Sequence, residues 1–433
     1  MGFSALYAGL SGLDAYSSNL NVIGNNLANV GTVGFKTSRM TFQDLLYSVA
    51  FGNSRNPNQV GLGVQPASVD SLFSQGSLAG TGVVTDLAIQ GNGFFVLRDA
   101  QGGRGFTRAG NFSLDKDGSL VTSAGAYVQG YTNRDSNGNI VTSGSLSDIN
   151  LPPGLTAPPK QTTSFSAHAN LNASARVDDP ATVGVNEAEV FSMSLTVYDS
   201  LGAKHDITMT FTPQDTNADG HLDRWAYEVT VPGEDVTGGT AGTPFVLSSG
   251  NAAFDANGSL TSPAGNVSIA TPGWTNGAGA QNLTWSLFDT TGKSLINGYE
   301  GASAASTVTQ DGYSSGTLRA LTINIDGLVE GVFTNGATQE IARISLATFN
   351  NPNGMLKAGF NSFLEASASG LPTIGAANAG GRGSIASNSI ELSNVDITQE
   401  LTNLITAERG YQANSRVITT TDQIIQEALN LKR

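Results

Sequence analysis

The sequence predicts a mixed fold, with terminal α-helices that form a coiled coil and, between them, nested all-β domains built from discontinuous segments. Two observations carry this. At both ends the apolar residues recur in alternating steps of three and four, the spacing of a heptad seam. In the middle the period becomes two and is punctuated by Asx-Gly dipeptides, the strongest short-range signal of a β-hairpin.

The first element runs through Phe3, Leu6, Leu10, Leu13, Tyr16, Leu20, Ile23, Leu27 and Val30. Its repeated step of three at Leu13 to Tyr16 is a stammer, which overwinds a supercoil locally without ending the helix. Gly9, Gly12 and Gly24 lie inside it, each costing roughly 1 kcal/mol against alanine in a helix interior. Such a segment needs a partner, and the C-terminus offers one at Leu401, Leu404, Ala407, Tyr411, Ile418, Ile425, Ala428 and Leu431. Asn414 and Thr421 interrupt this second stripe, and polar residues on a seam favour a chosen register over a generic apolar contact. The expected seam therefore sets Leu6, Leu10, Leu13, Leu20, Ile23 and Leu27 against Leu404, Tyr411, Ile418 and Ile425, of the same or a neighbouring chain.

After Val30, Gly31 to Lys36 reads as a helix C-cap followed by extended chain. Residues 33–75 are expected as a connector holding one short helix and an extended arm, and residues 371–392, rich in Gly, Ala, Ser and Asn, as its flexible return. Strand signals begin near residue 76. The cassette Phe-x-x-(Asp/Asn)-Gly-Ser-Leu stands at Phe112–Leu120 in extended form and again at Phe254–Leu260. Residues 76–163 with 306–370 are read as an inner all-β domain of meandering hairpins, and 164–305 as an outer one. Residues 299–316, small and polar, are read as the return crossing between them. Termini that meet, 1–32 with 393–433, make the architecture nested.

The composition narrows the function. The 433 residues carry a net charge of −14 with only 13% charged residues and no Lys/Arg run, which argues against nucleic acid and anionic membranes. No window has the ~20 apolar residues of a membrane span, so no membrane insertion is expected. There is no cysteine, which removes disulfides and thiolate metal sites and suggests an exported protein. The first cationic residue is Lys36, so a secretory leader is not expected and export would leave the chain uncleaved.

Catalytic signatures are missing. There is no nucleophile elbow, phosphate-binding Gly-Lys-Ser/Thr loop or H-E-x-x-H pair, and no cofactor is expected. His205-Asp206 lacks a nearby nucleophile and reads as a solvated strand. One weak metal pattern remains. Asp215, Asn217, Asp219 and Asp223 match the first, third, fifth and ninth positions of a calcium loop, but Ala226 stands where a bidentate Glu is needed. A hairpin turn of acidic and amide residues explains it without metal.

The stretches Asn19-Leu20-Asn21-Val22-Ile23-Gly24-Asn25-Asn26-Leu27-Ala28-Asn29 with Gly34-Phe35-Lys36, Ile89 to Phe95, Arg108 to Phe112, Asp117-Gly118, Gly130-Tyr131, Ser393 to Asp396, and Glu408 to Asn414 belong together. In combination they resemble the signatures of the bacterial flagellar rod and hook axial family. Phe349 to Leu356 and Gly359 to Phe363 are similar to the hook members, and the long insertion points the same way. The resemblance implies a non-enzymatic subunit of a curved, flexible helical homopolymer that transmits torque from rod to filament. It also implies partners in the rod, the hook cap, the hook-filament junction proteins and the flagellar type III export apparatus, and a place in the extracellular hook. Two other readings stay open: a distal rod component, and a β-domain adhesin with a glycan or calcium site. Asn25, Asn26 and Asn29, which the family motif marks, also read as plain helix-terminating amides.

Overall fold

A computed structural model describes residues 2–45, 47–53, 56–135, 138–152, 154–178, 188–216 and 222–430. It has a helix at each end, α1 (Gly2–Ala28) and α2 (Ile397–Asn430), and a β-rich middle. The chain divides into two compact units, one formed by Met1–Pro153, Ala320–Gly331 and Gln339–Arg433, the other by Gly154–Arg319 and Val332–Thr338.

In the first unit the strand Ser38–Asp44 pairs antiparallel with Val64–Ser71, and Tyr47–Asn53 with Asn56–Gly61. This two-stranded ribbon replaces the short helix expected between residues 36 and 75. Along Ser38–Asp44 buried Ser38 and Met40 alternate with exposed Arg39, a period of two that the apolar cluster after Phe42 obscures in the sequence. The expected flexible return is also corrected. Thr373–Ala376, Ser384–Ser387 and Ser389–Glu391 are strands, the last two zipped to Leu87–Gln90 and Leu78–Gly80. Small residues are needed there for close approach: a Cβ on Gly383 would stand 2.4 Å from the carbonyl oxygen of Gln90. The main sheet runs through Thr338–Thr348, Tyr127–Tyr131, Phe94–Arg98, Arg104–Thr107, Ser362–Leu364 and Leu356–Gly359. Phe94, Phe106 and Phe363 form its core with Phe73 and Phe349, mostly in edge-to-face ring contacts.

The second unit has two sheets around one core. Phe191–Tyr198, Lys204–Gln214, Arg224–Pro232, Pro244–Phe254 and Leu260–Ser262 form an antiparallel meander. In the other sheet Ser164–Asn170 runs parallel to Asn282–Ser286 and Ile296–Asn297, so this unit is not built of hairpins alone. Ala304–Gln310, expected as a return crossing, is a strand antiparallel to Ser164–Asn170. Trp225, Trp285, Phe211 and Phe165 fill the space between the sheets.

The repeated sequence cassette folds into the same turn in both units. The Asp115 carboxylate accepts from the backbone N–H groups of Asp117 and Ser119, and the Asp255 carboxylate from those of Asn257 and Ser259. Gly118 and Gly258 supply φ values of +83° and +72° at the turn exits.

Candidate assembly interface

The terminal helices lie antiparallel along their length. A Cβ on Gly9 would stand 3.2 Å from Ile418, one on Gly12 2.7 Å from the Asn414 side chain, and one on Gly410 2.5 Å from the Tyr16 ring. Further along, Asn26 Nδ2 reaches Glu400 Oε1 at 3.4 Å. Most of the buried helix residues are small or polar: Gly9, Gly12, Ala15 and Asn26 on α1, and Glu400, Ala407 and Thr421 on α2. Gly9 and Gly12, which weaken α1 by propensity, are what let the helices approach.

Of the sequence-predicted seam, Ile418 stands against Gly9 in this contact, and most of the seam residues keep some exposure. Ile23 is buried, Leu6, Leu13, Leu20, Leu27, Leu404, Tyr411, Ile418 and Ile425 are half-buried, and Leu10 is 54% exposed. Tyr7, Ile405, Val417 and Ile424 are exposed as well, Ile424 by 60%. So much exposed apolar side chain on one helix pair makes it the candidate interaction surface of the chain. No described helix is long and apolar enough to cross a membrane.

A junction of buried polar groups fixes the root of α1 and the start of α2. The Asn26 side chain accepts from the Ser38 N–H at 2.9 Å and donates to the Ser38 carbonyl at 2.7 Å, pairing with backbone as another strand would. Asn25 and Asn29 stay local: Asn29 donates to the Asn25 carbonyl one turn back and accepts from Thr32. On the C-terminal side Asn394 accepts from the Thr37 N–H at 2.7 Å and donates to the Leu72 carbonyl at 2.8 Å. Asp396 then caps α2 by accepting from the Thr398 and Gln399 N–H groups.

Next to these amides lies an ion triad. Glu391, wholly buried, accepts from Lys36 Nζ at 2.5 Å, from Arg108 Nε at 2.9 Å and from the Gly76 N–H at 2.8 Å. Arg108 also donates to the carbonyls of Gly93 and Gly91, and Lys36 to that of Ser74. Burial lowers the Lys36 ammonium below its ordinary value, and the Glu391 carboxylate works against that shift. Gly34 sits alongside with φ +69°, where a Cβ would meet the Ala109 nitrogen at 2.6 Å, and half-buried Phe35 follows it. The motif pieces Gly34-Phe35-Lys36 and Arg108-Ala109-Gly110 therefore converge on a residue that sequence reasoning missed. The signal for Glu391 was faint: a single carboxylate in a stretch of Gly, Ala, Ser and Asn.

The remaining chemistry-bearing patterns bring no site together among the described residues. Asn217 and Asp219 of the weak calcium loop lie outside the described residues, Asp215 and Asp223 sit at its two ends, and no group of three or more metal-ligating side chains occurs among the described residues. His205 is not a solvated-strand residue. It is buried, stacked 3.6 Å from the Trp274 ring, with Nε2 3.1 Å from Asp199 rather than paired to Asp206, which bonds Thr196.

Family models match in four places: flagella basal body rod protein at residues 6–36, flagellar hook protein FlgE/F/G D1 domain at 88–170, flagellar basal body protein FlaE D2 domain at 170–313, and flagellar basal body rod FlgEFG protein C-terminal at 386–431. The chain is 34% identical to the flagellar hook protein FlgE of Treponema pallidum, with 99% of each chain covered. It is 35% identical to those of Salmonella typhimurium and Escherichia coli, with 98% of each covered. A solved flagellar hook protein FlgE2 from Helicobacter pylori aligns over 71% of this chain and 98% of its own, at 17% identity and a TM-score of 0.49.

Proposed function

Because this chain belongs to the flagellar hook protein FlgE family, we propose that its terminal helix pair is the polymerising element of a hook subunit and that the hook it builds is a curved, torque-transmitting tube. The observation that carries this reading is the apolar surface left open on a helix pair whose own contact sets glycines against Ile418, Asn414 and Tyr16. Sister chains are the natural cover for it, because neighbouring copies bring the same stripes. In this reading the segments 1–32 and 393–433 line the inside of the tube, the β-rich middle lies outside, and the protein performs no catalysis.

Replacing Leu13 or Ile418 by Asp should abolish polymer, read by sedimentation and electron microscopy, while the β-rich units stay folded. Polymer of normal yield from either variant would refute the assignment. A rod position is the second reading, favoured by the rod-protein models that match both ends of the chain. Negative-stain images of wild-type polymer separate the two, since a straight rigid polymer supports the rod and a curved one the hook. Contacts with the rod, the hook cap, the hook-filament junction proteins and the type III export apparatus, and export without cleavage, belong to the same proposal. N-terminal sequencing of subunits recovered from hooks tests the last.

A further inference from the structure

Between α1, the ribbon and the first turns of α2 lies a cavity of about 550 Å³. Its apolar lining includes Tyr16, Ile23, Met40 and Phe42, and its acidic lining is Asp396 and Glu400. Glu400 is only 6% exposed, and its two oxygens are treated differently by the fold. Oε1 takes the long 3.4 Å bond from Asn26, whereas Oε2 is buried with no hydrogen-bond partner among the described residues. A carboxylate oxygen left this way is destabilising for the free subunit, because the group has given up water for nothing. The charge that would relieve it is a cation, best one with the forked donors of a guanidinium.

The chain's own assembly helices say where that cation sits. No Lys or Arg occurs before Lys36, so α1 has none to give. On α2, Arg409 and Arg416 are both exposed and stand one heptad apart. At 3.6 residues per turn they lie about 140° and 160° around the helix from Asn414, which faces α1. They therefore point away from the cavity of their own chain, beside exposed Ile405. An acidic-floored cavity on one side of the helix pair and a cationic, partly apolar stripe on the other are complementary surfaces of one molecule. Such an arrangement joins copies head to tail and does not close on a pair.

We propose that the cavity above Glu400 is the socket for the Arg409 face of a second copy of this chain, with Arg409 donating to Glu400 Oε2 across the subunit boundary. The inference rests on the self-assembly reading and adds to it a specific contact. In a chain of net charge −14, copies repel at long range, so one short-range opposite-charge contact sets the register of assembly more than its strength.

A charge swap on the full chain tests it. Glu400→Arg and Arg409→Glu alone should each raise the critical concentration for polymerisation at least tenfold, and the double variant should return it to within about threefold of wild type. Glu400→Gln, which keeps the side-chain shape but removes the buried charge, should raise it without lowering the thermal melt of the monomer. Single variants that polymerise at the wild-type threshold, or a double variant no better than the worse single one, overturn the contact while leaving self-assembly standing. Arg39 lines the same cavity, so Arg39→Gln is the control for a partner within the chain. If it alone reproduces the Glu400→Gln defect and Arg409→Glu has no effect, the proposal is overturned. A wild-type chain that never polymerises overturns both this contact and the reading beneath it.

Discussion

At the level of single residues, the triad of Lys36, Glu391 and Arg108 holds two cations against one carboxylate in a site closed to solvent. Removing the carboxylate is therefore worse than removing a cation. Glu391→Gln leaves both positive charges uncompensated and should destabilise the first unit by about 3–5 kcal/mol. Lys36→Met leaves a neutral Arg108–Glu391 pair and should cost clearly less. Urea melts of the two variants check the order, and equal losses would contradict it. The partly exposed pair of Asp148 and Arg98 gives a pH signature. The hydrogen bonds from Arg98 hold the Asp148 carboxyl below the ordinary carboxylate value. A carboxyl depressed on folding adds stability above its unfolded value of 3.8, and that contribution is lost as pH falls through the lower folded value. The stability gap between wild type and Asp148→Asn should thus be constant near neutrality and shrink only below about pH 4. A gap unchanged down to pH 2 would remove Arg98 as the cause.

At the level of elements, the glycines of the terminal helices divide into two kinds. A Cβ on Gly24 meets nothing within 4 Å, whereas one on Gly410 or Gly12 runs into Tyr16 or Asn414. Gly24→Ala should stabilise α1 by up to about 1 kcal/mol of helix propensity, while Gly410→Ala should push the helices apart and weaken the pair despite its better propensity. Circular dichroism at 222 nm on heating separates the two, and equal gains from both would mean that the glycines are not contact residues. This division also marks how far the elements could be read in advance. The apolar stripes located both helices, and period two with Asx-Gly turns located most of the strands. Neither disclosed that Gly9, Gly12 and Gly410 form the contact, because a glycine packed under a larger side chain adds nothing to the apolar periodicity. The ribbon at residues 38–71 and the strands at 373–391 were missed as well. The ribbon pairs with itself but its alternation is masked by the apolar cluster around Phe42, whereas Ser384–Ser387 and Ser389–Glu391 pair with strands about 300 residues earlier and, rich in Ser, carry little alternation of their own.

On the scale of the whole molecule, the two units can be followed with separate signals. All three tryptophans, Trp225, Trp274 and Trp285, are buried in the second unit, so their emission reports that unit alone. Helical ellipticity reports chiefly α1 and α2. Covering the exposed apolar flank of the helix pair on assembly should hold it against fraying, so ellipticity should rise on polymerisation while tryptophan emission stays fixed. Ile418→Asp should cancel the rise and leave the emission of the wild type. A shift in emission that tracks polymer would mean that the second unit reorganises on assembly.

The position of Glu391 has a temporal consequence. A chain made from its N-terminus has Lys36 and Arg108 long before it has residue 391, whereas every residue of the second unit has appeared by Thr338. The second unit can close while the ribosome is still at work, but the first holds two unmatched cations until the last tenth of the chain arrives. An interrupted product is therefore left with a destabilised root, and the fold itself distinguishes a finished subunit from a truncated one.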